Sequence, residues 1–146
     1  MVAPVATAQP DADSMADHGT KHKATSADRV QPLLADLTGP QLEAVKHVHG
    51  PLLVLAGPGS GKTRVVTRRM AHMVLGVGIA PWNVLAITFT NKAAAEMQQR
   101  VAELVSLRQA RALTVCTFHS LCARLLRQYA DRLELPPGYS IYDVAD

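Results

Sequence analysis

The sequence predicts an α/β fold, a parallel sheet flanked by helices, and three observations predict it. Residues 52–56 (LLVLA) are an unbroken apolar run, short enough for a strand and apolar enough to be buried on both faces of a parallel sheet. A turn of Gly57, Pro58, Gly59, Ser60 and Gly61 follows, and Lys62 and Thr63 open a helical pattern. The order strand, polar turn, helix then returns twice, after the runs at residues 84–89 and 113–117.

The chain has 146 residues, enough for one domain with a core or for a piece of a larger one. No apolar run approaches the roughly 18 residues of a membrane span, and the N-terminus has neither the basic start nor the apolar centre of a secretory signal. A cytoplasmic protein is expected, with Cys116 and Cys122 as reduced thiols. Charge is uneven. Residues 1–36 hold three Lys/Arg against five Asp, a net of −2, which leaves +5 on residues 37–146. A basic folded part suits polyanionic partners, although an excess of this size also suits a solvated surface.

Taken in order, residues 1–36 lack periodicity and aromatic anchors, and a disordered tail is expected. His18 and His22 have the spacing of a helical metal pair, but no further ligand stands near them in sequence. Residues 37–48 (LTGPQLEAVKHV) predict a short helix with Thr38 as N-cap and Pro40 in the first turn, where its missing N–H costs nothing. Gln41 stands three residues after Thr38. That spacing serves a bond back to the cap amide, and the same side chain could instead contact an adenine; the local pattern does not choose.

The pattern from Ala56 to Thr63 is that of a phosphate-binding loop. Residues without a Cβ let backbone N–H groups close around an anion, Lys62 is placed for the β/γ-phosphates, and the Thr63 hydroxyl is placed for Mg²⁺. The following helix, residues 62–77, carries Val66, Met70, Met73, Val74 and Val77 as a stripe expected to pack on the sheet. After the second strand, Thr88, Phe89, Thr90, Asn91 and Lys92 lead into a helix whose apolar face is Ala94, Met97, Val101, Leu104 and Val105. After the third, Thr117, Phe118, His119 and Ser120 lead into a helix with Leu121, Leu125 and Tyr129 on one face. Hydroxyl, amide and ammonium groups at the carboxyl ends of parallel strands can hold phosphates, and they can equally cap helices.

Four blocks, LTGPQLEAV, AGPGSGKTRVVTRR, ITFTNKAAAEM and TFHSLCARLLR, resemble in order and spacing the N-terminal part of superfamily 1A DNA helicases of the UvrD/PcrA/Rep type. The resemblance covers about residues 37–146, and TFTNKAAAEM and TFHSLC are the specific blocks. It implies a partial RecA-like P-loop domain using ATP and Mg²⁺. By position, Gln41 resembles the adenine-recognising glutamine and Arg64 the arginine that lies against the base. The loop residues Ala56 to Thr63 hold the phosphates, while Thr88 to Lys92, Thr117, His119 and Ser120 contact single-stranded DNA. Gly39 stands where the family usually has proline, which here comes one residue later.

The family continues into an Asp-Glu pair that holds Mg²⁺ and activates water, and into a second RecA-like domain. No apolar strand of this sequence ends in such a pair. The expectation is therefore a helicase fragment of 3′ to 5′ type that binds ATP and single strands and needs missing domains or a partner chain for turnover. The alternatives are a non-catalytic ATP- or strand-binding module and a small-molecule kinase, the latter disfavoured by the two strand-contacting blocks.

Overall fold

The computed structural model describes residues 26–136 and 138–140. Residues 1–25, with His18 and His22, lie outside the described residues. The elements are α1 (Ser26–Leu34), α2 (Gly39–Lys46), α3 (Lys62–His72), β1 (Leu85–Thr88), α4 (Asn91–Ala102), α5 (Leu107–Ala112), β2 (Thr114–Thr117) and α6 (Phe118–Gln128). α3 runs on into a π-helical turn, Met73–Val77, and 3₁₀ turns occupy Pro81–Asn83 and Ala130–Leu133. β1 and β2 pair in parallel, Leu85 opposite Thr114 and Thr88 opposite Thr117. The class is α/β as expected, with a small two-stranded sheet.

The main core gathers Leu33, Met70, Ala71, Val74, Val84, Val101, Val105, Ala110 and Leu113, and half-buried Met97 and Leu104 pack against it. The α4 face therefore lies where its spacing predicts. A second cluster, Ala44, Val45 and Val65, joins α2 to α3. α2 begins as predicted: Thr38 is the N-cap and Pro40 lies in the first turn. α4 and α6 are capped by Thr90, whose Oγ1 accepts from the Ala93 N–H at 3.1 Å, and by Thr117, which accepts from the Ser120 N–H at 3.2 Å. Both cysteines are free thiols. Among the described residues no helix is long and apolar enough to cross a membrane.

Four expectations need correction. Residues 26–34, assigned to a disordered tail, form α1, because Val30, Leu33 and Leu34 fall on one helical face and Leu33 is 4% exposed in the main core. Gly76 stands opposite α1: a Cβ there would lie 2.7 Å from His72 Nδ1 on α3 and 3.1 Å from Val30 Cγ2 on α1, so a larger residue would force the His72 ring to move and press on Val30.

Residues 52–56 do not form a strand. Apolar character gives a segment something to bury, but a ladder needs a partner, and β1 and β2 bond to each other. Leu53 and Leu55 are 82% and 86% exposed as a result. The α3 stripe is also rotated from its expected position: Val65, Thr67, Met70 and Ala71 are buried, while Val66 and Val77 are exposed. α3 is wedged between α2 and the main core instead of lying flat on a sheet, which turns Val65 toward Ala44 and Val45. Finally, the expected α6 face is uncovered, with Leu125 and Tyr129 exposed.

Candidate functional site

The glycine loop leads directly into α3, so its conformation is set by the helix it opens. Gly61 is the N-cap, with φ +81° and ψ 25°, a left-handed conformation that an L side chain adopts at a cost. Ser60 closes the turn through its Oγ, which donates to the Gly57 carbonyl at 2.7 Å. Lys62 folds back over the loop, its Nζ donating to the carbonyls of Gly57 at 2.7 Å and Ala56 at 3.2 Å. The ammonium and the helix N-terminus are thus held together at the loop. Thr63 is half-buried in the first turn of α3.

Gln41 makes the capping bond that its spacing allowed and a second bond, to the loop, that the spacing did not announce. Its Oε1 accepts from the Thr38 N–H at 3.1 Å, which caps α2, and its Nε2 donates to the Ser60 carbonyl at 3.0 Å, which ties α2 to the loop. A single amide therefore fixes the loop against a helix 19 residues earlier in sequence. Gln41, Ala56, Gly57, Ser60 and Lys62 line one groove of about 670 Å³, whose apolar wall includes Leu52, Val54 and Val66. Pro58, Gly59 and Gly61 belong to the loop beside it.

Arg64 turns away from the groove lining toward the connection between α1 and α2. Its Nη2 donates to the Asp36 main-chain carbonyl at 3.0 Å and pairs with the Asp36 carboxylate. Arg68, one turn on, takes the other carboxylate oxygen and donates to the Leu33 carbonyl at 2.9 Å. The Arg68 hydrogen bond, aided by Arg64, holds the Asp36 carboxyl below its ordinary pKa against a smaller opposing effect of burial. Sequence reasoning missed Asp36, since nothing local distinguishes it from the four other aspartates of residues 1–36.

Below the loop, Arg69 Nη1 donates to the Ala44 carbonyl at 2.6 Å, and burial lowers the guanidinium pKa. Burial, followed by the charges of Lys46 and Arg69, also lowers the pKa of His72. Its Nδ1 is buried without a hydrogen-bond partner.

The other predicted residues collect at the carboxyl ends of β1 and β2. The parallel register sets Thr88 beside Thr117, so the two Thr-Phe pairs that end the strands stand next to each other. Phe89 is 93% exposed and Phe118 60%. Thr88 Oγ1 donates to the Thr90 carbonyl at 3.0 Å, and Thr117 Oγ1 and Ser120 Oγ are 2.8 Å apart. Capping is done by Thr90 and Thr117. Asn91, Lys92 and His119 are exposed beside these caps, and the His119 ring meets the edge of Phe118 with centroids 6.3 Å apart.

The donor set of the loop fits a polyphosphate, with an ammonium, a helix N-terminus and a backbone turn in which Gly59 and Gly61 are left-handed. Comparison with known proteins gives a consistent picture. The family described as UvrD/REP helicase N-terminal domain matches residues 37–146. The ATP-dependent DNA helicase PcrA of Bacillus subtilis (strain 168) is 51% identical over 114 residues, 78% of this chain and 15% of that protein. The PcrA helicase of Leuconostoc citreum is 47% identical over 116 residues, 80% of this chain and 16% of that protein. That of Staphylococcus aureus (strain Mu50 / ATCC 700699) is 51% identical over 114 residues, 78% and 16% respectively. This chain therefore spans about one sixth of the length of these relatives.

Proposed function

Because the chain belongs to the UvrD/REP helicase family, we propose that it is the ATP- and single-strand-binding N-terminal portion of a cytoplasmic DNA helicase that moves 3′ to 5′. The observation that carries the reading is the pairing of β1 with β2. It sets two polar strand ends, two capped helix N-termini and two exposed phenylalanines at one edge of the sheet. Such an edge suits a single strand: phosphates at the helix N-termini, with Asn91, Lys92, His119 and Ser120 as further contacts, and bases against exposed rings.

In this reading the loop from Ala56 to Thr63 holds ATP, Lys62 neutralises the β/γ-phosphates, Thr63 carries Mg²⁺, and Arg64 leaves Asp36 to lie against the base. Mg²⁺ would draw charge from the phosphates, while the chain's own groups bind and orient them. Gln41 is the residue through which the base side and the phosphate side communicate, since its amide already joins α2 to Ser60. The fold is then an incomplete RecA-like P-loop domain, residues 37–146, and turnover requires the remaining domains or a partner chain. A second reading, a module that binds without hydrolysis, is favoured by one feature: β1 and β2 end in Thr88 and Thr117, not in carboxylates.

ATP turnover by the purified chain, with and without single-stranded DNA and alongside Lys62→Ala, tests both. DNA-stimulated turnover that is lost in Lys62→Ala supports a working motor component. Binding without turnover supports the module. No ATP affinity, or affinity untouched by Lys62→Ala, overturns the nucleotide site.

A further inference from the structure

We infer that the groove beside the glycine loop has a second anion subsite at Arg69, and that it takes a nucleotide phosphorylated on both sides of its ribose, with a 5′-polyphosphate at Lys62 and a 3′-phosphate at Arg69. The inference rests on the nucleotide reading above and extends it to the far end of the groove. Lys62 and Arg69 both line this groove. They lie seven residues apart on α3, which puts them on one face of the helix, two turns and about 10 Å apart along its axis. Between them the wall is apolar, with Val65, Val66, Ala44 and Val54.

The charge of the groove is one-sided. Among the described residues that line it, Lys62 and Arg69 carry charge, and none is an aspartate or glutamate. Arg69 also differs from its neighbours on α3. Arg64 and Arg68 share the Asp36 carboxylate, whereas half-buried Arg69 gives Nη1 to a neutral acceptor, the Ala44 carbonyl, and pairs with no carboxylate among the described residues. Ala44 belongs to the same lining, so the guanidinium stands at the groove wall. Burial lowers its pKa, and no neighbouring anion offsets that effect. A phosphate matches such a group, because it accepts two parallel N–H bonds from the fork and neutralises the charge. A ribose carries its 5′ and 3′ oxygens on opposite sides. A phosphate on each would face the two cations, with the sugar over the apolar stretch between them.

The test is calorimetric titration of the full chain with two ligands, Mg-ATP and Mg-ATP that carries a 3′-phosphate. The 3′-phosphate is expected to tighten binding about five- to thirtyfold. Arg69→Gln, which keeps an amide donor for the Ala44 carbonyl, is expected to erase that preference. Arg100→Gln removes the same charge from α4, outside the groove lining, and should keep it. The quantity read is the ratio of the two affinities within each protein, which a loss of stability or of loop shape common to both ligands does not move. Equal affinity of the wild-type chain for the two ligands overturns the inference. A preference that survives in Arg69→Gln, or that Arg100→Gln erases as well, overturns it too. If the wild-type chain binds neither ligand, or Lys62→Ala alters neither affinity, the nucleotide reading itself fails and this inference falls with it.

Discussion

Gly61 is the position where loop geometry can be tested against a number. Gly61→Ala puts a Cβ on a residue at φ +81°, which costs roughly 1–2 kcal/mol for an L residue in the left-handed region. The new Cβ would also lie 3.2 Å from Gln41 Nε2, the atom that donates to Ser60. Displacing that bond adds about 0.5–1.5 kcal/mol, for a total of about 1.5–3.5 kcal/mol. Gly57→Ala is the internal control. Gly57 is not left-handed, nothing lies within 4 Å of its Cβ position, and the substitution is worth about 0.4–1 kcal/mol of stabilisation.

Urea unfolding of both variants should therefore separate them by about 2–4.5 kcal/mol, and melting of Gly61→Ala should fall by about 4 °C per kcal/mol. In a Gln41→Ala background, Gly61→Ala should retain only its backbone cost, about 1–2 kcal/mol, because the crowded neighbour is gone. Stabilities of Gly61→Ala and Gly57→Ala within about 0.5 kcal/mol of each other would refute the reasoning.

Other predictions follow from packing and charge. Leu33→Ala should destabilise the chain by about 2–4 kcal/mol, measured by urea unfolding, since Leu33 is buried in the main core; a neutral result would mean that α1 does not dock. His72 titrates below its ordinary value, so its contribution to stability is full above about pH 6.5 and declines as pH falls toward the lowered folded value. His72→Gln should flatten that decline when unfolding midpoints at pH 7.5 and 5.5 are compared, and an unchanged slope would assign the decline to other groups. Asn91→Ala with Lys92→Ala should weaken oligonucleotide binding evenly across sequences and reduce the salt slope by about one unit in fluorescence anisotropy. A marked base preference among the losses would contradict phosphate contact.

What was legible in the sequence was what neighbours along the chain determine. The Thr38 cap, the buried face of α4 and the ends of β1 and β2 each follow from residues within a turn or two. α5 could have been read the same way, because Ser106 and Gln109 form a capping box: Gln109 Oε1 accepts from the Ser106 N–H at 3.1 Å. Pairing was not legible. Residues 52–56 have a strand's composition, but whether they join a ladder depends on partners that composition does not name.

α1 was hidden for a different reason. The polar, acidic character of residues 1–36 as a whole masked Val30, Leu33 and Leu34, a short apolar face whose partners, Met70, Ala71 and Val74 among them, lie about 40 residues on. Asp36 was invisible because its partners are 28 and 32 residues away. A truncation at residue 36 would accordingly remove part of the core and the carboxylate that holds α3, not an inert tail.

The uncovered leucines of residues 52–55 also bear on colloidal behaviour. Leu53 and Leu55 belong to a short, uncharged, β-prone stretch, the kind that pairs between molecules when concentration rises. Pro51 and Pro58 bracket it, and neither can donate to a ladder, so any intermolecular strand is confined between them. Replacing Leu53 with lysine should raise the concentration at which light scattering begins while leaving the α2 and α3 packing intact. The same two prolines that frame the loop's approach thus limit how long such an intermolecular strand can be.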